Sequence, residues 1–591
     1  MNPKLEIIFL LIACCPLKVA SAGFWFVMGR RVRARNRVAE AISSLPFACS
    51  RWQRISGRKD MEFLRNHEPE GTAYRIAVHI HLAAESAPAD ISAAIRSVLR
   101  QSREDWSLYL TSHDGQLKNM FRDSRIFLVG GAYGDRMTGL LAALQAAHHD
   151  KIDHLVPLEE SSRLSCFALA AYAAQSLAAS SERPMIVYGD QTEQTKFLAA
   201  RNPWLKPPWD PEMFLEQDYI SRSCALPVKS AITWMVNTTR PLESVFSLVL
   251  ELAMLADVAV QHVPRLTVMT PAGAWRYSNT CRERAVRRYL DLCSCPATIA
   301  ERQYGILSIT YDVPKPEPLV SVIVPTRDHL TVLRTCIDGI LSNTDYLNFE
   351  IIVVDNGSTD PETLDYLDEI RQNSKISLIN WPHEFNYSKI NNFAAEKAGG
   401  EFLCFLNNDV EIIDGRWLSS LIGYAARPEV GAVGAKLLYP DGTIQHAGVV
   451  VGMGNAAGHA HRGDQDNAPG YFGHSLVTRR VSGVTAACMV VKKSNFLSVR
   501  GFDEEGLAIA YNDVDLCLKL ISAGLKNIYV SSAKLIHHES KSRANDMAPE
   551  QLSRYMAELS VLQQRWLVNG RRDPWFHEKL DLDREVYTTK F

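Results

Sequence analysis

Four places in the second half of the chain carry residue types that could bind a cation or move a proton. Asp355 begins an Asp-Asn-Gly-Ser run, residues 407–409 read Asn-Asn-Asp, Asp513 lies in an Asn-Asp-Val-Asp run, and His537 begins a His-His pair. Carboxylate oxygens can bind a hard cation or accept a proton, and an imidazole can do either. Whether these residues act together depends on the elements that carry them.

Three short apolar runs precede the first two of these places and are typical of buried parallel strands. They cover residues 319–324, 349–354 and 402–406. Between the first two, apolar residues recur at helical spacing, which predicts a strand, helix, strand unit and a parallel sheet. These helical residues are Leu333, Ile337, Ile340 and Leu341. The polar residues therefore follow the carboxyl ends of strands, where open α/β sheets bind ligands.

Each candidate also has an ordinary structural explanation. Residues 355–358 make a favourable turn because Asn and Gly tolerate positive φ, and residues 407–409 could be a polar strand exit. Asp513 could cap a helix predicted over 514–521, and a lone histidine at a strand end is more often structural. Residue types taken singly leave these alternatives open.

The order and spacing of several sequence blocks favour a functional site. The segment from about 319 to 545 resembles the family 2 glycosyltransferases with the GT-A fold, within them the polysaccharide and O-antigen branch. The resemblance implies an α/β fold with a Rossmann-like, mostly parallel sheet. It rests on the blocks VSVIVPTRD, EIIVVDNGSTD, FNYSKINNFAAEKAGGEFLCFLNNDVEI, GTIQHAGVV, VSGVTAACMVVKK, GFDEEGLAIAYNDVDLCLKL and LIHHESKSR.

The resemblance implies a set of residues that hold a nucleotide-sugar donor. Thr326 and Asp355 would contact the nucleoside, with the Asp355 carboxylate accepting from a base N–H or a ribose hydroxyl. Asn392 resembles the family's asparagine near the same nucleotide. The whole donor-binding set is Pro325, Thr326, Asp355, Asn392 and Asn408. The donor is expected to be a UDP-, dTDP- or GDP-sugar.

The resemblance also implies a metal site and a catalytic base. Asp409 corresponds to the last acid of the family's DxD motif and would hold Mg²⁺ or Mn²⁺ against the donor diphosphate, with His537 completing the metal shell. The neighbouring His538 falls at a more variable position. The cation would neutralise charge on the departing nucleoside diphosphate. Asp513 fits the base that takes the acceptor hydroxyl proton, and a single in-line displacement implies inversion.

The first half repeats this order of elements in an eroded form. Strands predicted over 76–81 and 106–110 flank a helix, and a strand over 154–158 leads to Glu-Glu-Ser-Ser. Ser161 and Ser162 replace the usual acids, and no carboxylate occupies the matching base position near 245–247. Because hydroxyls cannot supply the same charge to a cation, we predict an inactive, structural or acceptor-binding GT-A-like domain. The alternative is a separate α/β domain whose likeness is accidental.

The N-terminus is apolar from residue 7 to residue 28 and is followed by arginines, a positive flank typical of the cytoplasmic side of a membrane. Pro16 and Lys18 interrupt it, so a membrane anchor, an interfacial segment and a simple hydrophobic leader all fit. Residues 11–14 also resemble a lipoprotein cleavage box, a less favoured reading. The predicted division is a leader over 1–72, a degenerate GT-A-like domain over 73–300, a Pro-rich linker over 301–318, a catalytic domain over 319–545 and a helical extension over 546–591.

Composition sets limits on the function. The 591 residues are 47% apolar with a net charge of −2, which excludes a disordered polymer and the global field of a nucleic-acid binder. We predict a metal-dependent inverting glycosyltransferase that is cytoplasmic and acts on a surface polysaccharide or lipid-linked glycan. Association with the cytoplasmic face of the inner membrane stays open as an alternative to a freely cytoplasmic protein. The alternative is a nonenzymatic glycan- or nucleotide-binding module that kept the fold. A processive synthase is disfavoured because no group of long apolar spans could form a channel.

Overall fold

The computed structural model divides into two halves, each built on a mixed β-sheet. It describes residues 11–28, 34–35, 37–38, 41–42, 45, 48–67, 74–114, 123–178, 183–194, 200–276, 280–538, 549–570, 572–582 and 587–589. The predicted leader over 1–72 and the last sequence block, LIHHESKSR at 535–543, lie partly outside these residues.

The first half contains a nine-stranded sheet. Its strands are β1 (Ile76–Leu82), β2 (Trp106–Ser112), β3 (Ile126–Ala132), β4 (His154–Pro157), β5 (Arg163–Leu164), β6 (Met185–Gln194), β7 (Ala200–Trp204), β8 (Cys224–Pro227) and β9 (Ala259–Pro271). The order across the sheet is β3-β2-β1-β4-β8-β6-β9-β5, with β7 paired to β6. A short antiparallel pair, β10 (Ala297–Glu301) and β11 (Leu307–Tyr311), follows.

The second half contains a ten-stranded sheet and a separate two-stranded one. The strands are β12 (Val320–Thr326), β13 (Phe349–Asp355), β14 (Ile376–Asn380), β15 (Phe402–Leu406), β16 (Val410–Ile412), β17 (Val430–Leu438), β18 (Ile444–His446), β19 (Val449–Val451), β20 (Ala457–His459), β21 (Arg479–Val481), β22 (Cys488–Lys492) and β23 (Lys526–His537). The main order is β14-β13-β12-β15-β22-β17-β23-β16; β18 pairs with β17, β21 with β23, and β19 with β20.

The two large sheets share one topology. In each, four parallel strands are followed by an antiparallel strand, β8 or β22, and then by the parallel pair β6·β9 or β17·β23. A short antiparallel strand, β5 or β16, closes each sheet. The same order and the same directions at every step are hard to reconcile with an accidental likeness. The predicted α/β class and the duplicated architecture are confirmed.

Helices cover the sheets on both faces. In the first half they are Pro88–Leu99, Arg136–His149, Ala168–Ala178, Pro211–Glu216, Val228–Asn237, Val245–Leu255 and Thr280–Leu292. In the second half they are Leu330–Ser342, Pro361–Ile370, Tyr387–Lys397, Trp417–Ala425, Lys493–Ser498, Asn512–Ser522 and Pro549–Trp566. Single 3₁₀ turns cover Ser221–Ser223, Ala274–Arg276, Gln303–Gly305 and Met453–Asn455.

The predicted helix after β12 forms over Leu330–Ser342 because its apolar face can be buried against the sheet. Leu333, Ile337 and Ile340 are fully buried, whereas Leu341 is only partly so. Nearly all residues of β12 and β13, the strands beside it, are buried, as expected for a parallel sheet covered on both faces. This packing holds the carboxyl ends of β12, β13 and β15 at one edge of the sheet.

The segment predicted as a linker, 301–318, has regular structure in its first part: β10 ends at Glu301, a 3₁₀ turn covers Gln303–Gly305, and residues 307–311 are a strand. These residues form β11, and its Ile309 side chain is buried against the helix Trp417–Ala425 of the second half. The Glu216 carboxylate accepts from Ile309 N at 3.0 Å and from Thr478 N at 2.6 Å. Arg427 donates to Glu212 at 2.8 Å. The two halves are therefore packed together, and only residues 312–319 run without regular structure.

Segment 572–582 folds back onto the first half. His577 Nε2 lies 2.9 Å from Asp190 Oδ2, while His262 Nε2 lies 2.8 Å from Asp190 Oδ1. Among the residues that the structure describes, these are the one group of three or more His, Cys, Asp or Glu side chains with the spacing of metal ligands. Lys579 N donates to His577 Nδ1 at 3.0 Å, so His577 Nε2 carries the proton and donates to Asp190. This hydrogen bond, rather than a cation, accounts for the cluster.

Helices Pro16–Val27 and Ala48–His67 precede the first sheet. Helix Pro16–Val27 is apolar, yet Leu17 and Val27 are each 84% exposed. Helix Ala48–His67 packs on the body through Trp52, and its Asp60 pairs with Lys579 at 2.9 Å. Within the described part of the chain, no helix combines the length and the apolar character needed to cross a bilayer.

Candidate active site

A cavity of about 730 Å³ opens at the carboxyl edge of the second sheet. Its walls come from the loops after β12 and β15, from the segment before β22 and from the start of helix Asn512–Ser522. Of the predicted site residues, Pro325, Thr326, Asn408 and Asp513 line it. Residues from four separate parts of the sequence thus meet at one opening, as expected for the carboxyl ends of strands in an open α/β sheet.

The donor-side residues are held by hydrogen bonds between neighbouring strand ends. Asn408 Nδ2 donates to Thr326 Oγ1 at 3.0 Å, and both side chains are buried. Asp355 Oδ1 accepts from Ser358 Oγ at 2.6 Å and from Ser358 N at 3.0 Å. Ser358 Oγ in turn accepts from Asp328 N at 2.8 Å. The turn explanation for residues 355–358 is therefore fulfilled, and it also makes the cavity rim rigid. Asn356, next to Asp355, is the residue that reaches the cavity wall.

Asn392 lies elsewhere than expected of a nucleotide contact. Its Nδ2 donates to Phe502 O and Glu504 Oε1, and its Oδ1 accepts from Phe502 N at 3.0 Å. Both ends of the amide are thus bound to the loop that leads into helix Asn512–Ser522, and Asn392 is not part of the cavity wall. Its position indicates that it orders this loop, on which Asp513 depends.

The predicted metal ligands lie together. Asp409 Oδ1 is 3.0 Å from His537 Nε2, and both residues are buried. They meet because β16, which starts at Val410, pairs with the end of β23 at His537. Asn407 Nδ2 lies 3.4 Å from the same His537 nitrogen. A carboxylate and an imidazole nitrogen at this separation suit a divalent cation, so the residues present fit the implied metal.

Gln445 determines which nitrogen of His537 faces Asp409. The Nδ1 of His537 lies 2.8 Å from Gln445 Oε1, an oxygen that can only accept. Nδ1 therefore carries the proton, and the lone pair of Nε2 points to the side of Asp409. Metal-bound histidines commonly have this arrangement, in which a second residue fixes the tautomer. Gln445 was not singled out from the sequence, because its partner is 92 residues away.

Asp513 is the second residue of helix Asn512–Ser522. Its Oδ1 accepts from Val514 N at 2.8 Å and its Oδ2 from Ala486 N at 3.2 Å. Burial raises the pKa of the Asp513 carboxyl above its ordinary value, although these hydrogen bonds and one from Thr485 act in the opposite direction. The capping explanation is thus partly fulfilled, while the carboxylate still lines the cavity.

Short contacts connect the base candidate to the metal pair. Asn407 N donates to Ala487 O at 3.1 Å, one residue from the Ala486 N–H that binds Asp513. The Tyr387 hydroxyl lies 3.2 Å from Ala486 O and 3.5 Å from Asn407 Oδ1. Asp513 and Asn407 are therefore anchored on the same short piece of backbone, and Asn407 contacts His537 of the metal pair.

The cavity wall includes groups that sequence reasoning did not identify. Arg327, Arg462 and Arg554 line it and bring positive charge to an opening that also contains Asp513. Arg554 comes from the helix Pro549–Trp566, which the sequence assigned only to packing. His459 lines the cavity and lies 2.7 Å from His446 between the two Nδ1 atoms, and burial holds the pKa of His446 well below its ordinary value. His461 instead pairs with Asp464 at 3.3 Å, so His459 and His461 do not form a metal pair.

The corresponding edge of the first half has different chemistry. The pairings Ile76↔His154 and Val320↔Phe402 make Glu159 the counterpart of Asn407 and Ser161 the counterpart of Asp409. Glu159 lies 3.3 Å from both Arg136 and Arg222. These guanidinium groups neutralise the carboxylate without a metal ion. Phe246, the second residue of helix Val245–Leu255, corresponds to Asp513. At the matching positions the first half thus lacks both the acid of the metal pair and the base.

Comparison with known proteins identifies relatives of the second half. Residues 321–480 match the model of glycosyl transferase family 2. The chain is 44% identical to the O-antigen biosynthesis protein RfbC of Myxococcus xanthus over 266 residues, which are 45% of this chain and 20% of that one. It is also 44% identical to the uncharacterized protein y4gI of Sinorhizobium fredii over 271 residues, 46% of this chain and 30% of that one. The matched region thus spans less than a third of either relative.

A more distant relative matches over a larger share of its length. The chain is 28% identical over 219 residues to an N-acetylglucosaminyl-diphospho-decaprenol L-rhamnosyltransferase of Mycobacterium tuberculosis, covering 34% of this chain and 69% of that one. A mannosyltransferase of Pyrobaculum calidifontis, solved with GDP-Man and Mn²⁺, is 18% identical over 49% of this chain and 73% of that one at a TM-score of 0.33, too low to support an inference. The family match and the two relatives at 44% identity agree with the sequence blocks: residues 321–480, in the second half of this chain, match glycosyl transferase family 2.

Proposed function

We propose that this protein is an inverting, metal-dependent glycosyltransferase that moves a sugar from a nucleotide-sugar donor to a surface polysaccharide or lipid-linked glycan. The observation that carries the proposal is that Asp513 and Asn407 line one cavity of about 730 Å³ and both bind residues 486–487, while Asn407 also contacts His537 of the Asp409–His537 pair. The base candidate thus lines this cavity, and the metal pair adjoins it through Asn407.

The donor side of the cavity fits a nucleoside diphosphate. Pro325, Thr326 and Asn408 line the cavity, and Asn356, next to Asp355, lines it as well. Asp409 and His537 would hold Mg²⁺ or Mn²⁺, which supplies positive charge against the diphosphate when bound. Arg327, Arg462 and Arg554 add positive charge that suits the same anion. The nucleotide is expected to be UDP, dTDP or GDP.

Asp513 is the proposed general base. Its two oxygens are fixed by backbone N–H groups, which orients the carboxylate without making it strongly basic. That suffices because the acceptor hydroxyl becomes acidic only as its oxygen bonds to the anomeric carbon. The bond to the diphosphate oxygen breaks as the new glycosidic bond forms, and the hydroxyl proton passes to Asp513. A single displacement of this kind inverts the anomeric configuration.

Two observations support an acceptor at the cell envelope. Relatives of the second half include an O-antigen biosynthesis protein and a rhamnosyltransferase that acts on a decaprenol-linked sugar. Helix Pro16–Val27 exposes apolar side chains, among them Phe24 and Phe26, which suits a segment lying in the interface of a membrane. The proposed place of action is the cytoplasmic face of the inner membrane, where nucleotide sugars are available.

A donor screen tests the proposal. The purified protein is incubated with Mn²⁺ and a panel of UDP-, dTDP- and GDP-sugars, the released nucleoside diphosphate is measured, and products are identified by mass. We expect one donor to be consumed and Asp513→Asn to stop transfer. If no donor is transferred or hydrolysed under any metal condition, the protein is a binding module that kept the fold. Flotation with anionic vesicles, with and without residues 1–28, tests the membrane contact separately.

A further inference from the structure

The first half contains a second cavity, of about 330 Å³, that the proposed reaction does not use. It lies at the edge of the first sheet that corresponds to the catalytic edge of the second, because Glu159 and the start of helix Val245–Leu255 both line it. Its volume is at the low end of ligand pockets, about 300–1,000 Å³, and less than half that of the catalytic cavity. It suits a smaller ligand than a nucleotide sugar with its acceptor.

The carboxylates on its wall all have partners in the protein. Glu159 lies between Arg136 and Arg222. Glu193 accepts from Gly273 N and from Asn202 Nδ2, each at 2.7 Å. Asp218 accepts from Ser221 N at the start of the 3₁₀ turn Ser221–Ser223, and Glu243 accepts from Arg284. Four carboxylates and three arginines on the wall nearly cancel in charge. The cavity therefore favours a neutral ligand over a nucleotide or a free cation.

Aromatic side chains form one side of the cavity. Trp204 and Phe472 are stacked with ring centroids 5.0 Å apart, and Trp275 meets Phe472 edge-on at 5.7 Å. Trp204 is buried, whereas Trp275 is only half-buried. Trp275 is therefore the tryptophan whose ring a ligand in the cavity can contact most fully.

An aromatic wall with neutral charge and many hydroxyl and amide groups is the environment that a sugar ring needs. A pyranose presents an apolar C–H face that packs on aromatic rings, and its hydroxyls pair with planar polar side chains such as Asn202 and Gln191, which line the cavity. The hydroxyls of Thr192, Ser221 and Thr270 line it as well.

The second cavity is connected to the catalytic one by a short stretch of chain. Residues 457–459 and Arg462 line the catalytic cavity, and Phe472, ten residues later, lines the second one. The loop is anchored on the first half by Gln217 Nε2, which donates to Phe472 O at 2.7 Å, and by the Tyr471 hydroxyl, which accepts from Leu205 N at 2.8 Å. A glycan bound in one cavity thus contacts the same loop as a glycan in the other.

We propose that the first-half cavity binds a neutral sugar unit of the acceptor glycan, so that the degenerate domain holds the chain that the second half extends. The identification of this glycan as the acceptor rests on the proposed function; the binding of a neutral saccharide does not. The first half, which lacks a base and a metal pair, keeps the position of an active site as a recognition site.

The test measures saccharide binding directly, apart from catalysis. The full chain carrying Asp513→Asn is titrated, without nucleotide or divalent cation, with neutral mono-, di- and trisaccharides of hexoses, deoxyhexoses and N-acetylhexosamines, and binding is followed by saturation-transfer NMR and calorimetry. We expect binding of at least one saccharide. Trp275→Ala, which removes a half-buried ring, should weaken it about tenfold or more, and Trp275→Phe, which keeps a smaller aromatic ring at the same place, should weaken it less.

Matched variants make each outcome decisive. Phe127→Ala removes an exposed aromatic ring of the same half outside the cavity and should leave binding unchanged. The proposal is overturned if no saccharide binds, if both tryptophan variants bind as well as the parent, or if UDP rather than a neutral sugar occupies the cavity. Saccharide binding by a protein that transfers no sugar would refute the proposed function alone, and transfer without saccharide binding would refute this inference alone.

Discussion

Replacing Gln445 tests whether the Asp409–His537 pair is a metal site. Gln445→Ala removes the acceptor that lies 2.8 Å from His537 Nδ1. Without it, the imidazole loses the contact that keeps its Nε2 lone pair turned toward Asp409, and a buried N–H is left without a partner. Loss of such a supporting contact commonly weakens metal affinity 10- to 100-fold, which corresponds to about 1.4–2.7 kcal/mol.

The assay is a titration of Mn²⁺ against the rate of nucleoside diphosphate release at saturating donor. We expect Gln445→Ala to need about 10- to 100-fold more Mn²⁺ for half-maximal rate, with little change in the rate at saturating metal. Gln445→Glu retains an acceptor oxygen and should return the titration to within a few-fold of the parent. Electron paramagnetic resonance of free Mn²⁺ without donor gives the affinity independently of turnover.

His538→Ala is the matched control. His538 is the next residue, but its Nε2 lies 2.8 Å from Glu411 on the other side of the strand end. Its loss should not alter the metal titration. If Gln445→Ala and the parent require the same Mn²⁺ concentration, or if His538→Ala alone raises it, Gln445 does not orient His537 for metal binding. His537 then has a structural role.

Four further changes follow from the described contacts. Asp513→Asn should lower sugar transfer about 10²- to 10⁴-fold while donor binding by calorimetry is unchanged; retained turnover would remove Asp513 as the base. Replacing both Ser161 and Ser162 with Asp should create no second activity in an Asp513→Asn background, since the first half has no base; any new transfer would contradict this. Burial raises the pKa of Glu216 to about 7, so its contribution to stability is complete below about pH 4.5 and is lost as the pH rises through about 7, roughly 3 kcal/mol in all. Urea unfolding between pH 5 and 8 should show this decline in the parent and not in Glu216→Gln. His577→Ala should lower the free energy of unfolding by about 1–3 kcal/mol because Asp190 loses a buried donor; an unchanged urea midpoint would count against that contact.

The fold was predictable because its strongest signals are local. Each predicted strand, from 319–324 through 402–406, appears with its ends displaced by at most two residues, since a continuous apolar run that ends at a turn allows few other structures. The repeated order of elements in the first half is also visible in the sequence. The sequence does not predict that β8 and β22 occupy the same place in the middle of each sheet, because their pairing depends on contacts between distant segments.

The site was predictable in its types of residue more than in its partners. Thr326, Asn408 and Asp513 lie at the cavity, and Asp409 meets His537. Asn392 was assigned to the donor, although it binds the loop at 502–504. A family motif marks the residue but does not say whether its side chain contacts the nucleotide or a neighbouring loop. Gln445 and Arg554 were missed as site residues since their partners lie on other elements and no local pattern marks such pairs.

The contact between Asp190 and His577 spans 387 residues of sequence. During synthesis at about 5–20 residues per second, His577 leaves the ribosome roughly 20–80 s after Asp190. Through that interval the first half has a buried carboxylate with one of its two histidine partners. For most of the same interval the loop at 471–472 that completes its sugar-sized cavity has not yet been made. The first half therefore reaches its final packing only after the catalytic half has been made, so the recognition domain and the catalytic domain mature as one unit rather than in the order of their synthesis.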